Sequence, residues 1–166
     1  MGVDDVVKIE TGYIYHIKDE FFDVVNDENL MSNHERGKKR STYFTIKDRD
    51  ILWFIPLSSK VDKYRKIVDK KIEKFGFCNT ILIRDILGNE SAILIQNAFP
   101  TLEKYIDHIH TVGDKPAKVI SSTCEEILEN FKQMMKLKKK GINLFFTDID
   151  KIKMQMEEEL KNDCKK

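Results

Sequence analysis

Residues 40–60 read RSTYFTIKDRDILWFIPLSSK, and the fold follows from how this stretch divides. Two runs rich in β-branched and aromatic side chains, residues 41–47 and 51–56, flank the charged segment Asp48-Arg49-Asp50. β-favouring residues on both arms with turn formers between them define an antiparallel hairpin. In such a pair the start of the first strand lies beside the end of the second. Lys38, Lys39 and Arg40 lead into the hairpin, and Ser58, Ser59 and Lys60 leave it. The two polar clusters are therefore expected to meet at one end of the sheet, where cations and hydroxyls together suit a phosphate.

Working outward, residues 1–11 are expected to be a flexible end. Residues 12–17 (GYIYHI) read as a first strand and 18–26 as a helix with Phe21, Phe22, Val24 and Val25 on its apolar face. Residues 27–39 form a long polar loop, a kind of segment that is often functional. After the hairpin, Val61, Tyr64, Ile67, Val68, Ile72 and Phe75 recur at helical spacing and Gly76 ends the helix. A second hairpin follows, with arms near residues 80–83 and 91–95 around Leu87-Gly88-Asn89-Glu90. Residues 101–104 suggest one helical turn. Residues 105–111 alternate, placing His108 and His110 on one face, and 112–118 is a Gly/Pro loop. Two helices close the chain. Ser122 with Glu125, or Thr123 with Glu126, offers a capping box for the first, which runs to about residue 139. Thr147 with Asp150 caps the second. Strands that arrive as hairpins predict a mostly antiparallel sheet. The expectation is one α+β domain over residues 1–166: a strongly curved sheet or small barrel with about four flanking helices.

Composition excludes several classes. A length of 166 residues supports one core-bearing domain, and a net charge of +1 argues against a uniformly basic nucleic-acid binder. Charge is nevertheless local, basic over residues 36–40 and 132–140 and acidic over 157–159. No apolar run approaches the roughly 18 residues of a membrane span. The opening residues lack a signal-peptide pattern, and Cys78, Cys124 and Cys164 are odd in number and scattered. A reducing cytoplasm is the expected setting.

The candidate site residues each carry a plainer reading. Ser59 serves equally well as a helix N-cap, and the two roles coexist because a helix N-terminus attracts phosphate oxygens. Arg40 is either a solvated loop cation or the planar fork that clamps a phosphate. His34 is an acid/base group or simply exposed. His108 and His110 lack a third ligand in the sequence, so metal binding is not indicated. Tyr13, Tyr15, Tyr43 and Trp53 read first as core, although a tyrosine can stack on a base. Lys132, Lys136 and Lys139, with Lys138 and Lys140, form a solvated helical face that also suits a polyanion.

The ordered set GYIYHI, KRSTYF, LWFIPLSSKVDKY and ILIQNAFP resembles toxins of type III toxin–antitoxin systems, specifically the CptN branch among relatives of ToxN and AbiQ. The resemblance covers nearly the whole chain from Gly12. It implies a MazF/Kid-like, SH3-like barrel sheet with added helices and a metal-independent endoribonuclease with no cofactor. It further implies a small pseudoknot RNA antitoxin, processed by the toxin and bound in a closed toxin–RNA assembly, and a role in phage defence. Family catalytic residues map onto Arg40 and onto Ser58, Ser59 and Lys60. In ToxN itself the position corresponding to Arg40 looks like a lysine, and Thr-Ser-Pro-Lys stands where this chain has Ser-Ser-Lys-Val. Tyr13, His34, Lys38, Lys39, Lys63, Tyr64, Lys132, Lys136 and Lys139 are the RNA-binding candidates. RNA cleavage giving a 2′,3′-cyclic phosphate is the expected reaction. The alternative is a non-catalytic RNA-binding module in the same groove.

Overall fold

The computed structural model describes residues 9–30 and 41–165. Its centre is the expected hairpin. Strand β2 (Thr42–Asp48) and β3 (Ile51–Ser58) pair along their whole length, from Asp48 opposite Ile51 to Thr42 opposite Leu57. The loop is only Arg49-Asp50, with Arg49 in the left-handed region at φ 58. β3 runs two residues further than its apolar pattern predicts, because its far end pairs with another strand.

The remaining strands assemble around this pair. β1 (Ile14–Ile17) joins β2, and β7 (Ile106–Ile109) joins β1. On its other side β3 is shared end to end. β6 (Phe99–Thr101) pairs with Leu52, Trp53 and Phe54, while β5 (Asn89–Leu94) pairs with Leu57 and Ser58. β4 (Ile81–Ile86) forms the second hairpin with β5 through Leu87 and Gly88. Both loop residues have positive φ, 53 and 91, as a two-residue type I′ turn requires. A short hairpin, β8 (Thr111–Val112) with β9 (Lys115–Pro116), occupies the expected Gly/Pro loop.

The pairings are antiparallel, as the hairpin pattern implies. Among the described residues the expected barrel is not formed: the sheet runs β4-β5-β3-β2-β1-β7 and stays open, with β4 and β7 at its edges. Splitting one edge of β3 between β5 and β6 sends the chain outward in two directions instead of round to a closing pair.

Four helices cover the sheet: α1 (Glu20–Val24), α2 (Val61–Phe75), α3 (Ser121–Lys139) and α4 (Ile149–Cys164). Directly paired residues point to the same face, so register assigns the faces. Leu57, Ile55 and Trp53 face α3, whose Phe131 ring lies 5.3 Å from Trp53. The opposite face carries Phe54, Tyr43, Tyr15 and Phe99, and α1 closes it through Phe21, 5.2 Å from Phe99. Ser58 and its partner Ala92 lie on that second face, where α2 builds a small separate core of Tyr64, Ile81, Ala92 and Leu94. Both faces of β2 and β3 are thus buried. This explains why β3 reads as a continuous apolar run and not as an alternation.

Three local expectations change. Residues 9–11 are docked, not loose: Ile9 is in the core and Lys47 N–H donates to Thr11 Oγ1. α3 begins at Ser121 with no side-chain cap, so neither predicted capping box forms. α4 is capped by Asp148, which accepts from Lys151 N–H, because Thr147 Oγ1 is committed to Ala98 O. Among the described residues no helix is long and apolar enough to cross a membrane.

Candidate active site

The mouth of the β2–β3 hairpin is where the chain turns from sheet into α2. Ser58 is the last residue of β3 and is held beside Ala92 of β5. Its Oγ accepts a hydrogen bond from Lys60 N–H at 3.1 Å, which tightens the turn. This differs from the expected cap. The N-cap residue is Lys60, no side chain caps the helix, and Ser59 makes no hydrogen bond among the described residues. The N–H groups of Val61, Asp62 and Lys63 precede the first helical bond, made by Tyr64 N–H to Lys60 O. Such groups face outward with a positive dipole end. Ser59, Lys60, Val61, Asp62 and Lys63 line an open concavity of about 290 Å³. A free hydroxyl, uncapped amides and two lysines thus share one small surface.

A neighbour with a less obvious role is Tyr43, on the same face as Ser58 and opposite Pro56. Its ring is fully buried between Phe54 and Phe99. The hydroxyl makes no well-formed hydrogen bond among the described residues; burial drives its pKa well above the ordinary phenol value, an effect Ser41 only partly offsets. This group is held protonated, so it keeps a proton to donate. Tyr43 reads as core in the sequence because nothing in a one-dimensional pattern shows where a phenol oxygen ends.

The remaining candidates are distributed as follows. Arg40, His34, Lys38 and Lys39 lie outside the described residues. Tyr13 is half-buried, its backbone bonded to Thr45, with Lys118 Nζ 5.4 Å above its ring. Lys63 belongs to the concavity. Tyr64, expected to contact RNA, has its ring in the small core under α2, because it sits on the inward side of that helix. Lys132, Lys136 and Lys139 are exposed on α3, against the opposite face of the sheet from Ser58, so the β-sheet separates the two cationic surfaces.

A histidine cluster escaped the sequence. His16 pairs with His108 across β1 and β7, their rings stacked at 4.2 Å, and His16 Nε2 lies 2.9 Å from His110 Nδ1. His108 Nδ1 also meets Asp107 Oδ2 at 2.9 Å. Burial, with His108 nearby, lowers the His110 pKa from its ordinary value. Alternation signalled His108 and His110, but only the β1–β7 register brings in His16. Among the described residues no set of three or more His, Cys, Asp or Glu is arranged to hold a metal ion.

This fold is similar to that of solved structures. One such structure is AbiQ, described as a lactococcal anti-phage endoribonuclease belonging to the type-III toxin–antitoxin system. The two superpose with a TM-score of 0.69 at 17% identity, over 91% of this chain and 99% of AbiQ. At that identity the likeness is one of fold. No protein-family model and no curated protein matches the sequence.

Proposed function

We propose that this chain is an endoribonuclease toxin of a type III toxin–antitoxin system, in the CptN branch, acting in the cytoplasm and in phage defence. The observation that carries this reading is the likeness to AbiQ across nearly the full length of both chains. The hydroxyl-bearing, cationic turn at Ser58–Lys60 supplies matching chemistry.

The reaction is transesterification without a metal ion. The 2′-oxygen attacks phosphorus, the bond to the 5′-oxygen breaks, and a proton passes overall from the 2′-hydroxyl to the leaving oxygen. The product is a 2′,3′-cyclic phosphate. Arg40 and Lys60 stabilise charge on the phosphorane, and the first-turn amides of α2 add donors for its oxygens. Ser58 and Ser59 position a phosphate oxygen or relay a proton. Neither serine stands beside a base, so neither is a covalent nucleophile.

The partner is a small pseudoknot RNA, cut from a repeat precursor and held in a closed toxin–RNA assembly. Tyr13, His34, Lys38, Lys39 and Lys63 serve the substrate strand. Lys132, Lys136 and Lys139 hold the inhibitory RNA on the other face.

A non-catalytic RNA-binding module is the second reading, favoured by the engagement of Ser58 Oγ with the Lys60 amide. Cleavage of single-stranded RNA in EDTA separates the two. Loss of cutting in Ser59→Ala and Arg40→Ala, with RNA still bound, supports the nuclease. Folded wild-type protein that binds but never cuts supports the module.

A further inference from the structure

Helix α2 carries more cation than its fold requires. Lys63, Lys66, Lys70 and Lys74 are all exposed. At 3.6 residues per turn they fall within an arc of about 80° on one flank. Asp62, Asp69 and Glu73 fall on the adjoining outer arc, and no ion pair forms between them and these lysines among the described residues. The other two cations of the helix are committed elsewhere, Arg65 to Glu90 at 2.8 Å and Lys71 to Thr80 at 2.8 Å. Lysines stacked three and four residues apart repel one another, which disfavours the bare helix and favours an anion laid along it.

The stripe has two defined ends. Lys63 is in the wall of the Ser59–Lys63 concavity. Lys74 lies 5.2 Å from the ring centre of Phe75, which is 59% exposed, and Phe77 beyond it is 61% exposed. Two solvated phenylalanines beside an unpaired lysine are a platform on which bases stack, with the cation holding the adjoining phosphate.

We infer that the Lys63–Lys66–Lys70–Lys74 flank of α2 is a track for single-stranded RNA, running from the concavity to a stacking platform at Phe75 and Phe77. Its span is about 16 Å at 1.5 Å per residue, room for a few nucleotides beyond the cleaved bond. The assignment of RNA rests on the proposed nuclease reading; the charge and aromatic surface does not. The track makes cleavage depend on substrate length, because a dinucleotide fills the concavity alone and a longer strand also uses the helix.

The test measures binding of a labelled 12-nucleotide uridine oligomer over a salt series, and cleavage of a 12-mer against a dinucleotide. The variants are K66E/K70E/K74E, F75A/F77A and a charge-matched control, K115E/K151E/K161E. The lysine variant should flatten the salt dependence of log K by about 2, from roughly 0.7 per phosphate contact on a single strand. The phenylalanine variant should weaken single-stranded RNA at least about 5-fold while sparing duplex RNA, as loss of stacking predicts. Both should reduce the advantage of the 12-mer over the dinucleotide, and the control should not. Unchanged binding in both variants overturns the track, as does equal weakening toward duplex RNA or polyglutamate. If wild type never cuts but the variants lose salt-sensitive binding, the track stands and the nuclease reading falls. Thermal melts of all variants establish that they are folded.

Discussion

Thr42 lies opposite Leu57 across the β2–β3 ladder, so the residue that opens one arm of the hairpin is fixed beside the residue that precedes Ser58. On its other side Ser58 is held against Ala92 of β5. The serine turn therefore projects from the middle of a sheet, with strands on both sides, and a site built on such a rigid element keeps its geometry.

Removing the hydroxyls should separate chemistry from folding. Ser58→Ala loses one exposed hydrogen bond to Lys60 N–H, which costs about 0.5–1.5 kcal/mol. Ser59→Ala loses no bond among the described residues and should melt like wild type. Both should slow RNA cleavage about 100-fold or more if these hydroxyls contact the transferring phosphate. A cleavage rate within 2-fold of wild type in both variants would remove the serines from the mechanism.

Tyr43→Phe removes a buried hydroxyl without a well-formed partner. Deleting such a group is close to neutral or stabilising, since its desolvation cost disappears. Denaturant melts should show stability equal to wild type or up to about 1 kcal/mol higher. A clear destabilisation would mean that the phenol is hydrogen-bonded in solution.

The histidine cluster predicts acid sensitivity. The folded pKa of His110 lies below its unfolded value, because burial and then His108 disfavour the charged ring. The groups facing it are His16 and His108, with Asp107 holding the latter. A depressed histidine binds fewer protons folded than unfolded, so its stabilising effect is complete above the unfolded value near 6.5. It is lost as pH falls from there toward the folded value. Urea midpoints should drop between pH 7.5 and pH 5, and His110→Gln should flatten that slope. An identical slope in the variant would place the acid-sensitive groups elsewhere.

Phe99 touches Phe21, Phe22, Tyr43 and Phe54 and is almost fully buried. Phe99→Ala should lose about 3–5 kcal/mol, the usual range for a buried aromatic. Calorimetry is the direct check, and a loss below 1 kcal/mol would show that the core collapses around the gap.

Arg84 of β4 makes a two-pronged pair with Glu126 of α3, at 3.0 and 2.6 Å. Both side chains are more than 40% exposed, so solvent screening limits the coupling to at most about 1 kcal/mol despite good geometry. A double-mutant cycle at low and high salt should show that coupling shrink. Coupling above 2 kcal/mol that persists in salt would contradict a solvent-screened pair.

Much of the architecture is written locally. α2 begins at Val61 and ends at Phe75 as its periodicity predicts, with Gly76 at φ 84 providing the stop. The hairpin follows from β-branched and aromatic runs about a charged turn, and both features need only neighbours in sequence. Where the open sheet parts from the expected barrel, the deciding contacts are distant. Phe54 pairs with Phe99, and Leu57 with Ile93, dividing one edge of β3 between two strands.

The sequence by itself determined the two main hairpins, the long helices, the antiparallel character and the polar Ser58–Lys60 turn, because propensity and hydrophobic period act over a few residues. Only the tertiary structure decided which face each residue occupies. It set the α3 lysines behind the sheet from Ser58 and brought His16 to His110. Those outcomes depend on strand register, and a shift of one residue exchanges the faces of a whole strand.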